Sequence, residues 1–258
     1  MRLGAIPGAT PDKWVTRWRE RYPDFTLTVE LFDEAGQLER LRAGTIDVGY
    51  VRFPEDAEAA VGDDLHRVLL YRDAPVVCAA RDHWVAAAET SVTWEEIAAE
   101  PFFDPAEMVP EPEGSDEDTT GSPHDPKRGA DLAAGERMAL EVVASGAGLL
   151  ILPNSVARML SRRDVIIREI EDVPGYDVGL AWMRDADGPV IQEFIGVARG
   201  RKSGSGRNEI ATAAKDKPKS AKSNSKREAA RAAPGRSRPG QKPASRRGQP
   251  PRGRRRPR

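Results

Sequence analysis

Two stretches near the start of the chain have residue types that suit the binding of a small anion. Residues 7–10, Pro-Gly-Ala-Thr, end an apolar strand and precede a helix, so backbone N–H groups and the positive helix end can hold a carboxylate. Arg52 follows a later strand at the same predicted edge, where its guanidinium can pair with an anion and can be removed without loss of the fold. The predicted ligand-binding residues are Gly8, Ala9, Thr10, Arg52, Phe53 and Phe103.

Each of these assignments has a plainer alternative. Thr10 is also a good helix N-cap, and Arg52 also suits a solvated surface position. Phe102 and Phe103 suit either a wall of a ligand cleft or an aromatic core. The sequence leaves these alternatives open.

Side chains for catalysis or metal binding are sparse. The histidines His66, His83 and His124 are far apart, and none has a second ligand at metal spacing. No nucleophile elbow, P-loop or zinc-protease helix occurs in the sequence. Cys78, the single cysteine, lies in an apolar run, which is typical of a buried, unreactive thiol. These patterns predict surface histidines, no metal, no cofactor and no enzymatic activity.

Basic residues are concentrated in the C-terminal segment. Residues 199–258 have 21 Lys and Arg against 3 Asp and Glu, a net charge of +18. A flexible polycation gains free energy by releasing counterions from nucleic acid, and the absence of aromatic residues argues against single-strand selectivity. A tail that shields the acidic body of the same chain is the alternative. The residues predicted to contact nucleic acid are Arg246, Arg247, Arg252, Arg254, Arg255 and Arg256.

The rest of the chain has the opposite charge. Residues 1–198 hold 19 basic and 38 acidic side chains, so the net charge of −1 for 258 residues conceals two different segments. The C-terminal segment has one large aliphatic residue, Ile210, which is too little apolar surface to offset the entropy of ordering. We therefore expect a folded domain over 1–198 and a disordered tail over 199–258. Without a signal peptide or a long apolar run, we expect a cytoplasmic protein that associates with the nucleoid through its tail.

Alternating apolar patterns predict an α/β layer in the first part of the chain. Trp14, Trp18 and Tyr22 form an apolar stripe of helical period, which indicates a helix from Pro11 whose stripe faces the core. Short connections favour right-handed crossovers and hence a parallel sheet. The predicted strands cover 2–6, 25–32 and 46–51, and the predicted helices cover 11–22 and 35–43.

The pattern changes in the second part. Two apolar runs within 65–80 predict strands that cross to a second lobe, and Thr93 and Glu96 predict a capping box for a helix over 94–99. Residues 104–126 contain eight acids, no bases and five prolines, which predicts an acidic mobile loop. Further helices are predicted over 132–144, 154–160 and 189–197, and further strands over 148–152, 165–170 and 178–183.

Several segments resemble the effector-binding domain of LysR-type transcriptional regulators. Residues 20–24 read Glu-Arg-Tyr-Pro-Asp, and residues 43–50 read Ala-Gly-Thr-Ile-Asp-Val-Gly-Tyr. Residues 94–101 read Trp-Glu-Glu-Ile-Ala-Ala-Glu-Pro, and residues 145–155 read Ser-Gly-Ala-Gly-Leu-Leu-Ile-Leu-Pro-Asn-Ser. The segments follow the family's order over about residues 1–199. The resemblance implies a type 2 periplasmic-binding-protein fold, with two α/β lobes, two crossovers and a small ligand in the cleft.

The resemblance also implies limits for each lobe and two departures from the family. Lobe I is expected over about 1–79 and 172–198, and lobe II over about 80–171. Family members begin with a winged helix-turn-helix, whereas this chain starts at the first strand of the effector domain. The acidic loop replaces a helix and strand of the family's second lobe.

We therefore expect a regulatory domain that senses a small anionic or aromatic-acid ligand and associates nonspecifically with nucleic acid through its tail. The alternative is a protein-interaction module whose lobes pair with a second copy or with another regulator. These two expectations differ in what the lobes recognise.

Overall fold

The computed structural model describes residues 1–55, 62–109 and 131–201. The chain divides into two units, Met1–Lys217 and Pro218–Arg258, and every described residue belongs to the first. The predicted tail beyond residue 201, most of the acidic loop and the six predicted nucleic-acid-binding arginines therefore lie outside the described residues.

Strands and helices alternate along most of the described chain. The first part consists of β1 (Arg2–Ala5), α1 (Asp12–Arg21), β2 (Thr28–Leu31), α2 (Gln37–Arg42), β3 (Val48–Pro54), β4 (Leu65–Asp73) and β5 (Pro75–Ala80). The remainder consists of β6 (Ser91–Val92), α3 (Trp94–Ile97), α4 (Ala134–Ala144), β7 (Leu150–Pro153), α5 (Asn154–Met159), β8 (Val165–Ile170), β9 (Tyr176–Met183) and α6 (Pro189–Ala198).

The first sheet has the strand order β2-β1-β3-β9-β4. β1 pairs in parallel with β2 and β3, which confirms the predicted parallel layer. β9 follows β8 in the chain and pairs antiparallel with β3 and β4. This sheet forms the body of lobe I.

The second sheet has the order β6-β8-β5-β7 and forms lobe II. Because β5 already pairs with β7 and β8, the chain passes from the first sheet to the second at Ala74. The second sheet thus begins about five residues before the lobe boundary predicted at residue 79, since Pro75 is its first paired residue. The return passage lies between β8 and β9, close to the predicted position.

Apolar clusters pack on both faces of the lobe I sheet. α1 and α6 cover one face, where Trp18 and Phe194 are fully buried with ring centroids 5.7 Å apart. The Trp18 indole N–H donates to the Phe25 carbonyl over 3.0 Å, so its polar atom stays satisfied in the core. Phe32 and Leu41 belong to the cluster on the other face, which α2 covers. The predicted core stripe of α1 is therefore confirmed.

Lobe II has the same layered arrangement. α4 and α5 supply Val143 and Val156 to a cluster on one face of its sheet, while Val85 and Ile97 lie in a separate cluster. Thr93 and Glu96 form the predicted capping box at the start of α3. Within the described residues, no helix combines the length and apolar character needed to cross a bilayer.

Candidate functional site

The carboxyl ends of β1 and β3 meet at one edge of the lobe I sheet. The parallel register places Ala5 opposite Tyr50, and the Ile6 N–H continues the ladder to the Tyr50 carbonyl. The turn after Ile6 and the residue Arg52 consequently lie at the same edge, as the sequence predicted. In an open α/β sheet this is the edge at which ligands bind.

The turn at residues 7–10 is close to lobe II. Gly8 has a φ of +79°, which favours glycine, and its N–H donates to Met159 Sδ of α5 over 3.3 Å. A Cβ built on Gly8 would lie 2.5 Å from Ser155 Oγ, so this glycine permits close approach of the two lobes. The Ala9 N–H closes the turn by donating to the Ile6 carbonyl.

Thr10 is exposed and does not cap the following helix. α1 begins at Asp12 with Pro11 in the N-cap position, and no side chain caps it. The assigned helix thus begins one residue after the predicted start at Pro11, whose backbone angles are already helical. The capping alternative for Thr10 is not supported, because Pro11 takes the position before the helix. Thr10 is exposed to solvent.

Arg52 is buried, with 1% of its surface exposed, so the alternative of a solvated arginine is wrong. Its Nη1 donates to Glu34 Oε2 over 2.6 Å. Its Nη2 donates to the Pro7 carbonyl over 3.1 Å and to Ser155 Oγ over 2.9 Å. Nη2 also lies 3.6 Å from Asp73 Oδ2. Arg52 therefore connects lobe I, the first crossover and helix α5 of lobe II.

This network changes the expected effect of removing Arg52. Asp73 is only 6% exposed, and loss of the guanidinium would leave its carboxylate short of a countercharge. Breaking a buried pair in this way typically costs about 3–5 kcal/mol. The expectation that Arg52 can be removed without affecting the fold is not supported by its burial.

The helices of lobe II meet acids from lobe I and the crossover. The Ser155 hydroxyl donates to Asp73 Oδ2 over 2.6 Å, close to the start of α5. The Ala133 N–H, at the start of α4, donates to Asp33 Oδ1 over 2.8 Å. Each carboxylate lies at the positive end of a helix, where a negative charge is stabilised.

Sequence reasoning did not identify four of these residues. Asp33 and Glu34 directly follow the strand predicted over 25–32, and that position was the available signal for them. Asp73 and Ser155 become recognisable only when the two lobes are brought together, because 82 positions separate them in the chain.

Glu136, in the first turn of α4, gives the cleft a further acid. Burial raises the pKa of this carboxyl, and the nearby charges of Asp33 and Glu34 raise the pKa further. The Arg52 guanidinium acts in the opposite direction and lowers the pKa. The cleft thus contains several acids around one buried guanidinium.

The predicted aromatic residues lie in different places. Phe53 is 4% exposed and packs with Leu41 in the core on the α2 side of the first sheet. Phe103 is partly buried against the α4 and α5 cluster of lobe II. The structure does not bring these two rings together, and their contact with a ligand stays a prediction. Phe102 stacks on Trp94 with ring centroids 5.5 Å apart.

The remaining candidate residues give no reactive site. His66 Nε2 and His83 Nε2 each lie 3.7 Å from a carboxylate oxygen, while His124 falls outside the described residues. Across residues 1–55, 62–109 and 131–201, no three His, Cys, Asp or Glu side chains are grouped to hold a metal ion. Cys78 is fully buried, and burial raises the pKa of its thiol to about 12. The thiol is therefore not activated for nucleophilic chemistry.

A family model for the LysR substrate binding domain matches residues 1–203. The chain belongs to this family. The resemblance of its segments is therefore confirmed, and the match extends over both sheets. The domain is a ligand-binding domain of LysR type.

Two curated relatives come from Cupriavidus pinatubonensis (strain JMP 134 / LMG 1197). The HTH-type transcriptional regulator TdfR is 27% identical over 211 residues, and the HTH-type transcriptional regulator TfdS is 28% identical over 209 residues. Each alignment covers 76% of this chain and 65% of the relative, so the chain spans a little under two thirds of their length. Both relatives are transcriptional regulators.

Solved structures share the architecture. The BenM effector-binding domain with its effector benzoate has a TM-score of 0.54 at 18% identity, covering 77% of this chain and 90% of that chain. The OxyR regulatory domain from Pseudomonas aeruginosa has a TM-score of 0.51 at 18% identity, covering 77% and 95%. At these identities the likeness shows the fold alone. The LysR effector-binding domain has the type 2 periplasmic-binding-protein fold that the sequence predicted.

Proposed function

We propose that this domain binds a small carboxylate ligand between its two lobes and that the bound state regulates transcription. The observation that carries the proposal is the buried guanidinium of Arg52 in β3, which contacts Pro7 after β1 and Ser155 of lobe II. A buried cation at this edge of an α/β sheet suits an anionic ligand. The exposed Thr10 hydroxyl and the adjacent start of α1 supply hydrogen-bond donors.

Benzoate is the natural probe for this proposal, because it is the effector in the BenM structure that shares this fold. Benzamide has nearly the same shape but no charge. A ligand that binds only the folded state raises the melting temperature. We expect benzoate or a related small carboxylate to raise the Tm of the full chain, and benzamide to have little effect.

Thr10 allows a test of location. Thr10→Val keeps the shape of the side chain and removes its hydroxyl, and Thr16→Val makes the same change at an exposed position of α1. We expect Thr10→Val to weaken benzoate binding by about tenfold, since a hydrogen bond to a charged group contributes about 1.5–3 kcal/mol. Thr16→Val should bind like the original chain. Equal affinities for all three proteins would place the ligand elsewhere.

A second proposed activity concerns the basic tail. Its net charge of +18 over residues 199–258 supports nonspecific association with nucleic acid and hence with the nucleoid. Log affinity for DNA should fall linearly with log salt, at roughly −0.9 per neutralised phosphate, with little dependence on base sequence. The six arginines between 246 and 256 carry the densest charge, and their joint replacement by glutamine should reduce this slope. An unchanged slope would reject the assignment to those residues.

The interaction-module alternative makes a different prediction. If the lobes serve to pair with another regulator, no small carboxylate should stabilise the protein. A second regulator should then bind the original chain and the tail variant equally well. The thermal-shift comparison of benzoate with benzamide separates the two functions.

A further inference from the structure

The turn that follows β2 directs two consecutive acids at two different groups of the cleft. Asp33 Oδ1 accepts the Ala133 N–H at the start of α4, over 2.8 Å. Glu34 Oε2 accepts from Arg52 Nη1 over 2.6 Å. One acid therefore contacts lobe II and the other contacts the buried guanidinium of lobe I.

Both contacted groups are suited to an anion. α4 has 11 residues, so its first N–H groups carry the positive end of a helix dipole. Arg52 is 1% exposed, and its Nε is buried without a hydrogen-bond partner among the described residues. In the part of the chain that the structure describes, the protein satisfies both terminal nitrogens of this guanidinium and leaves the buried Nε donor unused, so a carboxylate there is favourable. In the present structure the carboxylates of the protein itself occupy these groups.

We infer that Asp33 and Glu34 are a built-in competitor for the ligand, and that Glu34 sets the affinity of the cleft for carboxylates. This inference rests on the proposed function. An incoming carboxylate reaches Arg52 Nη1 by displacing Glu34, while Pro7 and Ser155 keep hold of Nη2. The binding free energy from this contact is therefore only the difference between the ligand–Arg52 interaction and the Glu34–Arg52 interaction that it replaces.

Exposure and charge favour Glu34 as the exchangeable partner. The Glu34 side chain is 38% exposed, whereas the Asp73 side chain on the other side of the guanidinium is 6% exposed. Glu136 lies close enough for the charges of Asp33 and Glu34 to raise its pKa, so like charges crowd this part of the cleft. Displacement of Glu34 toward solvent relieves that repulsion.

The direct test compares two glutamine variants in the full chain. Glu34→Gln keeps the size of the side chain and removes the competing charge, and Glu39→Gln makes the same change on the exposed face of α2. In isothermal titration, we expect Glu34→Gln to bind benzoate about tenfold more tightly than the original chain, equivalent to about 1.4 kcal/mol. Glu39→Gln should leave the affinity unchanged. Equal or weaker binding by Glu34→Gln, with binding by the original chain intact, would overturn the inference.

A ligand-free measurement separates this inference from the proposed function. If benzoate binds none of the three proteins, the proposed function fails for this probe. Amide hydrogen exchange then tests the contacts of Asp33 and Glu34 on which the inference rests. Loss of the Asp33 and Glu34 charges should loosen the contact with lobe II, so Asp33→Asn combined with Glu34→Gln should speed exchange around Ala133 at least about fivefold. Glu39→Gln is again the control. Exchange at the rate of the control would overturn the inference.

Discussion

The Ser155 hydroxyl donates a 2.6 Å hydrogen bond to Asp73 Oδ2, and the Ser155 N–H lies 3.2 Å from Asp73 Oδ1. Asp73 is the last residue of the strand that leads into the crossover, and Ser155 belongs to the first turn of α5. Ser155 Oγ also accepts from Arg52 over 2.9 Å. One hydroxyl therefore joins the crossover, the lobe I sheet and a helix of lobe II.

Ser155→Ala should lower the free energy of unfolding by about 1–3 kcal/mol, because it removes an acceptor and a donor from partly buried charged partners. Ser161→Ala, at an exposed position after α5, is the matched control and should cost less than about 0.5 kcal/mol. Urea denaturation measures both. Equal stability of the two variants would show that the hydroxyl does not hold the lobes together.

Gly8→Ala tests the close approach of the lobes. Gly8 and Gly44 both have positive φ, +79° and +64°, so alanine at either position should cost about 1–2 kcal/mol in backbone strain. Only Gly8 has a neighbour in the way, since its Cβ would lie 2.5 Å from Ser155 Oγ, while nothing lies within 4 Å at Gly44. Gly8→Ala should therefore destabilise the protein more than Gly44→Ala in the same denaturation assay. Equal costs would contradict the packed interface.

The raised pKa of Glu136 predicts a pH-dependent gain from Glu136→Gln. The folded state binds the proton more readily than the unfolded state, so the ionised carboxylate destabilises the fold above its folded pKa. Glu136→Gln should be more stable than the original chain at pH 8. The gain should vanish as the pH falls below the unfolded pKa of about 4.3, where both states are protonated.

The control for this pH series is Glu89→Gln, a change at an exposed acid. The unfolding free energies of both variants are measured from pH 8 to pH 4, and a substitution at this exposed position should change the stability by less than about 0.5 kcal/mol. A gain from Glu136→Gln that is constant over the range would mean that burial and the acids Asp33 and Glu34 do not shift the Glu136 titration.

Local signals account for the elements that were predicted accurately. β8 covers Val165–Ile170 as predicted, and the capping box of Thr93 and Glu96 forms as predicted, because both depend on neighbouring residues. Pairing with strands that are distant in the chain decides where other elements end. β3 extends to Pro54 rather than Val51, since Pro54 pairs with Tyr176 of the distant strand β9. Sequence periodicity has no information on that pairing.

The sequence predicted the lobe I residues of the candidate site but not their partners in lobe II. Thr10 follows β1 and Arg52 lies near the end of the parallel strand β3. Because parallel strands end at a common edge, the topology predicts their shared position. The topology did not predict the partners of Arg52, because Ser155 is 103 positions away and comes from the other lobe. Burial of a charged side chain depends on such distant partners. This dependence is why Arg52 looked replaceable in the sequence and is embedded in the structure.

The central claim is that a small carboxylate binds between the two lobes. Amide hydrogen exchange of the full chain, with and without saturating benzoate, tests binding and location in one measurement. We expect slower exchange at residues 7–10 of lobe I together with the starts of α4 and α5 in lobe II, and unchanged exchange in β6 and α3. Unchanged exchange throughout, or protection confined to β6 and α3, would contradict the claim.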